Sequence, residues 1–289
     1  MPFRTVVIDS HCKLEYSLNY LVVRTSETTK RIVMDEVRVL VLNSTMISIT
    51  TALLAECTKR KISVVCCDDK HNPCSLLLPL CGNSITSKRI RQQVDWKKET
   101  ADACWQKIIA NKIRNQATLL KLSGRWGEAS LLEQYVQEVE PGDPTNREGH
   151  AAKVYFNSVF YPGFTREEDC LTNAALNYGY SLILSEISRA IAAGGYLTQL
   201  GIHHKSEFNE FALSCDLMEP VRFLVDRKVK RMGPNEEWKK IIMEITGEDV
   251  CIRGQTQSFG NAISIYTNSF FSAMEEDNPE KIVFIEFNG

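Results

Sequence analysis

Two carboxylates, Asp216 and Glu219, stand three residues apart in the segment 214–222. If the chain from Asp216 to about Arg231 is helical, residues at this spacing leave the same face within one turn. One carboxylate can then bind a divalent cation while the other supports it. Acids in the first turn of a helix also stabilise it by complementing the dipole, and Pro220 is tolerable only near such a start. The pair alone therefore does not establish a site.

Two further segments carry candidate metal ligands. Glu148 comes just after Thr145 and Asn146, either of which is a candidate N-cap of a helix. A Glu in that first turn is also expected from capping alone. His203 and His204 lie in a segment too short for another long helix. Because successive side chains diverge in a strand or tight turn, at most one of the two imidazoles should face a given metal.

The order and spacing of these segments resemble the CRISPR adaptation integrase, the subunit that inserts new spacers into CRISPR arrays. The resemblance covers nearly the whole chain. It is carried by Cys67-Asp68-Asp69-Lys70, Asn146-Arg147-Glu148-Gly149-His150-Ala151-Ala152, Gly201-Ile202-His203-His204, Asn209-Glu210-Phe211 and Asp216-Leu217-Met218-Glu219-Pro220. The first two of these segments are most similar to the version encoded beside type II effector systems.

The resemblance implies a catalytic set and a metal site within it. Glu148, His204 and Glu219 would hold Mg²⁺ or Mn²⁺, and Asp216 would assist from behind the ligands or through a water molecule. His203 departs from the family pattern, since an adjacent imidazole could compete as a ligand. Many relatives carry Asp where this chain has Glu219, so the helix or the coordination geometry must accommodate one extra methylene group.

Two carboxylates and one imidazole, with positions left for water and phosphate oxygens, suit Mg²⁺ or Mn²⁺ and phosphoryl chemistry. By resemblance, the nucleophile is the 3′-hydroxyl of an incoming protospacer DNA, and the product is a new joint at a leader-proximal CRISPR repeat. With water as the nucleophile the same site would be a DNA endonuclease. The alternative is a metal-dependent nuclease or phosphodiesterase without an integration role. A non-catalytic DNA-architecture protein is disfavoured because all three ligands are present.

Composition agrees with an ordinary globular enzyme. The chain has 289 residues, which favours two domains, with 44% hydrophobic and 24% charged residues. It shows no apolar run long enough for a bilayer and no signal-peptide pattern at its first residues, so we expect no membrane association and a cytoplasmic location. The 10 cysteines form no CxxC pair, which indicates reduced thiols rather than a zinc site. A net charge of −2 means that DNA contacts must come from local basic surfaces.

Hydrophobic periodicity predicts an α+β protein with a small β-rich domain followed by a larger all-α catalytic domain. The predicted boundaries are 1–84 for the β-rich dimerisation domain, 85–99 for the linker and 100–289 for the helical domain. Strands are expected at 5–8, 14–23 (folded about residues 17–19), 31–33, 37–42 and 62–66, with a short helix at about 48–59. The resemblance implies that the first domain forms a homodimer and the second carries catalysis.

Basic residues cluster in three places: Lys88, Arg89 and Arg91; Lys107, Lys112, Arg114 and Lys121; and Arg222, Arg227, Lys228, Lys230 and Arg231. Solvated helix faces are the ordinary interpretation, but the last cluster adjoins the metal motif and could contact phosphates. An acidic stretch at 128–143 should face away from DNA or toward a protein partner. The partners that the resemblance implies are double-stranded and branched DNA, a second copy of the chain, a small adaptation subunit completing a heterohexamer, and type II effector components.

The apolar run 281–287 follows an acidic stretch that contains Pro279. Its β-branched and aromatic residues favour an extended conformation. Two interpretations are open. The run packs back on its own chain as a last strand or core plug, or it docks on the partner subunit by strand addition.

Overall fold

The computed structural model describes residues 4–69, 73–79, 83–233 and 237–286. Three sequence features discussed above fall partly outside these ranges: Lys70 of the Asp-Asp-Lys sequence, Cys81, and Phe287 at the end of the apolar run.

Strands dominate the first part of the chain. Their bounds, with one helix among them, are β1 (Arg4–Ile8), β2 (Cys12–Ser17), β3 (Tyr20–Arg24), β4 (Thr29–Val33), β5 (Val37–Leu42), β6 (Ile47–Ile49), α1 (Thr51–Lys59), β7 (Ser63–Cys67) and β8 (Pro73–Leu77). Within the described residues they form two four-stranded sheets, in the orders β1-β5-β7-β8 and β4-β3-β2-β6. The hairpin predicted about residues 17–19 is present, with Leu18 and Asn19 both at positive φ, as a tight two-residue turn requires.

The central strand β5 joins two hydrophobic cores. It pairs in parallel with both β1 and β7, and all its residues are buried. Val39 and Val41 pack into the core of the helical part, whereas Leu40 and Leu42 pack into the core of the strand-rich part. A strand covered on both faces is expected to be apolar on both, and β5 is so except at Arg38.

Helices dominate the rest of the chain. Their bounds, and those of the strands among them, are α2 (Thr86–Val94), α3 (Lys98–Leu122), α4 (Trp126–Glu138), α5 (Arg147–Val159), α6 (Leu171–Gly194), α7 (Ala212–Met218), α8 (Phe223–Arg231), α9 (Trp238–Met243), β9 (Asp249–Ile252), β10 (Gln255–Ser258), α10 (Phe259–Glu275) and β11 (Ile285–Glu286). Among the residues described, none of these helices is long and apolar enough to cross a membrane.

Two sequence expectations for this part need correction. It is not all-α, because β9, β10 and β11 form an antiparallel sheet in the order β10-β9-β11. The predicted linker 85–99 is also largely helical, since it contains α2 and the start of α3. Gln93 anchors α2 by bonding Leu197 and Leu200 through its amide. The division of the chain into domains at residues 84 and 99 remains a prediction.

The apolar run near the C-terminus packs on its own chain. Ile285 and Glu286 form β11 against β9, and Ile282 and Ile285 are buried in the helical core. Glu286 also accepts a hydrogen bond from the Gly254 N–H at 2.9 Å. The hypothesis that this run docks on a partner is therefore replaced by the intramolecular alternative.

A buried ionic cluster ties β5 to the helices α6 and α10. Arg38 donates to Glu186 at 2.8 Å and to the Gly260 carbonyl, and Arg189 reaches the same Glu186 carboxylate at 3.1 Å. We call these four residues the Arg38 cluster. A Cβ at Gly260 would lie 1.7 Å from the Arg38 guanidinium carbon, so only glycine leaves space for the arginine.

Candidate active site

The start of α5 fixes the position of Glu148. Asn146 caps the helix, in the left-handed conformation, by accepting a hydrogen bond from the Gly149 N–H at 3.1 Å. Asp143 adds a second cap, because its carboxylate accepts from the Arg147 and Glu148 N–H groups at 2.9 Å each. The sequence placed Asp143 in an acidic stretch facing away from DNA, but the structure buries it under this helix start. The Glu148 carboxylate is therefore not needed to cap α5, although the sequence alone allowed that role.

A break in the chain at Pro220 fixes Glu219. The helix expected from Asp216 to about Arg231 begins earlier, at Ala212, and is interrupted by a 3-10 turn, Glu219–Val221, before α8. Pro220 causes the interruption because it has no N–H to donate to the preceding turn. The Pro220 carbonyl accepts instead from the Asn115 side chain of α3 at 2.9 Å. This contact holds Glu219 against α3.

Glu148 and Glu219 meet at the ammonium group of Lys112. Lys112 Nζ lies 2.6 Å from Glu148 Oε1 and 2.5 Å from Glu219 Oε2. Arg222 holds the other Glu219 oxygen, with its Nη2 at 2.9 Å and its Nε at 3.0 Å from Oε1. Burial raises the pKa of Glu219, but the charges of Arg222 and Lys112 outweigh it and lower that pKa. Burial likewise lowers the pKa of Lys112, and the two carboxylates more than compensate. The cluster is thus ionised although largely buried.

Lys112 is a site residue that the sequence reasoning missed, since it was grouped with surface basic residues. It lies in the stripe Ile108, Lys112, Asn115 and Leu119, which follows helical spacing along α3. The three neighbours in this stripe are buried. A lysine on the buried face of a helix was the available signal, because such a residue needs ionic partners.

Asp216 orients the segment that carries His204. This carboxylate is fully buried and accepts hydrogen bonds from the backbone N–H groups of Ile202, His203 and His204 at 2.7–3.1 Å. Its Oδ1 also lies 2.6 Å from His204 Nδ1. A Cβ at Gly201 would lie 2.8 Å from Asp216 Oδ2, which explains why glycine precedes the histidines. Because both Asp216 oxygens make these hydrogen bonds, Asp216 supports the His204 imidazole from behind.

The bond to Asp216 has two chemical effects on His204. It raises the pKa of His204, burial opposes that rise, and the charges of Asp216, Glu219 and Glu148 add to it. It also directs the Nδ1 proton toward the carboxylate in the neutral ring, which leaves the Nε2 lone pair for a metal.

Trp105 contacts the two neighbouring histidines in different ways. The His203 ring stacks on the Trp105 ring with centroids 4.1 Å apart and an interplanar angle of 7°. The His204 ring meets the same indole edge-on, at 5.8 Å and 89°. The imidazole that Asp216 orients is therefore that of His204, which favours His204 as the ligand.

If His204 is the metal ligand that the family resemblance implies, we expect His204→Ala to reduce metal-dependent strand transfer by at least about a hundredfold, because the ion would stabilise the reacting phosphate. His203→Ala should change the rate little, since the ring it removes stacks on Trp105. Both rates would be measured by joining of a labelled DNA end to a target plasmid. The reverse ranking of the two variants would assign the ligand to His203.

The predicted ligands are side chains of types that bind a divalent ion. The ammonium group of Lys112, however, occupies the space that the ion needs. Among the described residues, no three His, Cys, Asp or Glu side chains stand together as a ready-made metal cage. Within the same ranges, Glu219 Oε2 is buried without a hydrogen bond and has the ion pair with Lys112. That oxygen, the Glu148 carboxylate and the His204 imidazole are donors that Mg²⁺ and Mn²⁺ accept. A metal would fit once the ammonium group moves.

A cavity of about 220 Å³ adjoins the two glutamates. Lys112, Arg166 and Arg222 bring positive charge to its lining. On its far side Asp226 accepts hydrogen bonds from Tyr155 and Tyr180, and burial raises the pKa of Asp226 to about 6 against their effect. The cavity offers phosphate oxygens both cations and room beside the glutamates.

Four of the five residues in the last basic cluster of the sequence have partners within the chain. Arg227 and Lys228 pair with Glu248, and Lys230 donates to the Val159 carbonyl. Arg222 pairs with Glu219 and lies over the Tyr180 ring at 4.5 Å. The last basic cluster of the sequence is therefore used largely for internal structure, and a role of these four residues as a DNA-facing surface is not needed to explain them.

Comparisons of sequence point to one family, and comparisons of structure show the fold. The model of the family described as CRISPR associated protein Cas1 matches residues 5–257. The CRISPR-associated endonuclease Cas1 of Neisseria meningitidis serogroup C is 31% identical over 229 residues, covering 79% of this chain and 75% of the relative. A Cas1 protein from Thermotoga maritima superposes with a TM-score of 0.77 at 16% identity, covering 95% of this chain and 97% of that one. A casposase bound to integration product superposes with a TM-score of 0.76 at 18% identity, covering 95% and 91%.

Proposed function

The chain belongs to the Cas1 family of CRISPR-associated proteins, and from that membership we propose that it is a metal-dependent DNA integrase of CRISPR adaptation. It would join the 3′-hydroxyl ends of protospacer DNA to a CRISPR repeat by transesterification. Its relatives in Neisseria and Pyrobaculum are named endonucleases, and endonuclease activity corresponds to the same displacement with water as the nucleophile. One observation carries the proposal: Glu148 and Glu219, from distant segments, meet at the ammonium group of Lys112, and Asp216 orients the imidazole of His204, the third ligand that the family resemblance implies.

Glu148, His204 and Glu219 would hold the ion, Mg²⁺ or Mn²⁺. When bound, such an ion polarises the scissile phosphodiester and stabilises the negative charge that develops on it. The attacking group is a DNA hydroxyl, so the reaction needs no nucleophilic side chain.

The chain's own residues would position these ligands and the substrate. Asp216 holds the His204 ring through Nδ1 and fixes the loop through three backbone N–H groups. Arg222 restrains the Glu219 carboxylate through Oε1, which leaves Oε2 directed toward Glu148 and Lys112. Arg166 lines the adjacent cavity and can donate to phosphate oxygens there.

The 3′ end of the DNA decides between integration and simple cleavage. Native protein would be incubated with Mn²⁺, a target plasmid carrying a leader and repeat, and labelled duplexes ending in either a 3′-hydroxyl or a 3′-dideoxy nucleotide. Integration predicts that label joins the plasmid with the 3′-hydroxyl duplex and not with the blocked one. Cleavage of DNA without any joining would favour the alternative, a metal-dependent nuclease with no integration role.

The assembly is proposed on the same family basis. The strand-rich part would form a homodimer, and two dimers would bridge a small adaptation subunit in a heterohexamer that holds double-stranded or branched DNA. Components of a type II effector system would join during adaptation. Light scattering of the purified chain checks the first step, since a stable monomer at micromolar concentration contradicts it.

A further inference from the structure

Lys112 places a positive charge between the two carboxylates that are proposed to bind metal. Its Nζ is 2.6 Å from Glu148 and 2.5 Å from Glu219, distances at which the ammonium group fills the gap between the two oxygens. The Lys112 side chain is 11% exposed and that of Glu219 is 4% exposed, so water screens this contact poorly. An ion shared by both glutamates therefore cannot bind while Lys112 keeps both contacts.

The charges in the cluster balance without any metal. Glu148 and Glu219 contribute two negative charges, and Lys112 and Arg222 contribute two positive ones. Neutralising buried carboxylates internally removes the repulsion that would otherwise favour uptake of a cation. A divalent ion must compete with a charge that the protein already supplies.

We propose, on the basis of the proposed function, that Lys112 is a built-in counter-cation that weakens metal binding and must leave the two glutamates before the ion is shared by them. The adjacent cavity, which Lys112 itself lines, gives the side chain a place to go. A DNA phosphate in that cavity supplies the released ammonium group with a new partner. Metal and DNA then bind cooperatively, because each lowers the cost of the other.

A purely structural role for Lys112 predicts different behaviour. If Lys112 served only to stabilise the fold, replacing it would lower the free energy of unfolding, and the affinity for metal would stay the same or fall as the site loosened. Metal affinity therefore separates the two roles, and it can be measured without DNA and without turnover.

The first test is titration of the DNA-free protein with Mn²⁺ by isothermal calorimetry. Lys112→Met should bind Mn²⁺ at least about tenfold more tightly than the native chain, because it removes a competing charge from a poorly screened site. Lys112→Arg keeps the charge and should stay close to native affinity. Lys121→Met is the matched control, since Lys121 lies on the same helix but pairs with Glu133 at the surface. Unchanged or weaker Mn²⁺ binding by Lys112→Met would overturn the proposal.

The second test repeats the titration with a duplex whose 3′ ends are dideoxy-blocked. The blocked DNA should tighten Mn²⁺ binding in the native chain more than in Lys112→Met. The variant lacks the ammonium group that a DNA phosphate would bind. Equal tightening in both proteins would remove the link between Lys112 and DNA.

A third measurement does not depend on any variant folding. Anomalous diffraction from native crystals soaked in Mn²⁺ should show the ion between Glu148 and Glu219, with Lys112 withdrawn from at least one of them. An ion bound there with both lysine contacts intact would overturn the role proposed for Lys112 but not the proposed metal site. Absence of Mn²⁺ at these glutamates in native crystals that also contain the dideoxy-blocked duplex would overturn the proposed metal site as well.

Discussion

Glu148→Gln is expected to reduce metal-dependent strand transfer by about a thousandfold, because the ion that Glu148 is proposed to hold would supply several kcal/mol of charge stabilisation. The fold should survive the change. Asn146 and Asp143 cap α5, so the helix start does not depend on the Glu148 carboxylate. A glutamine of the same size can also still accept a hydrogen bond from Lys112. Strand transfer and far-ultraviolet circular dichroism would be measured on the same preparation.

Glu138→Gln is the matched control for this variant. Glu138 pairs with Arg147, the residue next to Glu148, but its side chain is 47% exposed and it lies outside the carboxylate cluster. Its strand-transfer rate should equal that of the native chain. A near-native rate for Glu148→Gln, with the control behaving alike, would remove Glu148 from the ligand set.

Glu186→Ala is expected to lower the free energy of unfolding by about 3–5 kcal/mol, because it leaves the buried Arg38 without its ionic partner. The Glu186 side chain is 0% exposed and that of Arg38 is 9% exposed, so water cannot solvate either charge unless the structure opens locally. Urea denaturation followed by circular dichroism would measure the change.

The comparison for this variant is Glu133→Ala. Glu133 pairs with Lys121 at a surface where both side chains are well exposed, and such pairs contribute little to stability. It should therefore shift the denaturation midpoint much less than Glu186→Ala does. Equal midpoints for the two variants would show that the Arg38 cluster adds no more than a surface pair.

Local signals in the sequence were sufficient for several elements. The strand at residues 37–42, the two-residue turn at Leu18 and Asn19 and the cap at Asn146 are all present as expected. Each depends on residues within a few positions of one another, and the physics that selects them is equally local.

Elements that depend on distant partners were missed. The strands β9 and β11 have four and two residues, too few for a period to show, and β10 is polar throughout. The helix α2 buries little beyond Gln93, so it carries no apolar stripe. Only packing against the rest of the chain identifies these segments as regular structure.

The candidate site shows the same limit. Resemblance to a family supplied Glu148, His204 and Glu219, but two adjacent histidines are indistinguishable until Trp105 and Asp216 are placed around them. Lys112 looked like other lysines on a long helix, because which side of α3 is buried is decided by α5 and the turn at Pro220. The sequence showed which residue types could bind a metal, whereas tertiary contacts were needed to assign a role to each residue.

The Arg38 cluster also bears on how fast the chain folds and unfolds. Arg38 bonds residues 148 and 222 positions further along the chain, at Glu186 and Gly260. Contacts between such distant positions form only after much loop-closure entropy has been lost, so they contribute little to the folding transition state. Interactions absent from that state slow unfolding without speeding folding. The buried arginine therefore prolongs the lifetime of the native state, keeping β5 attached to α6 and α10 between rare openings.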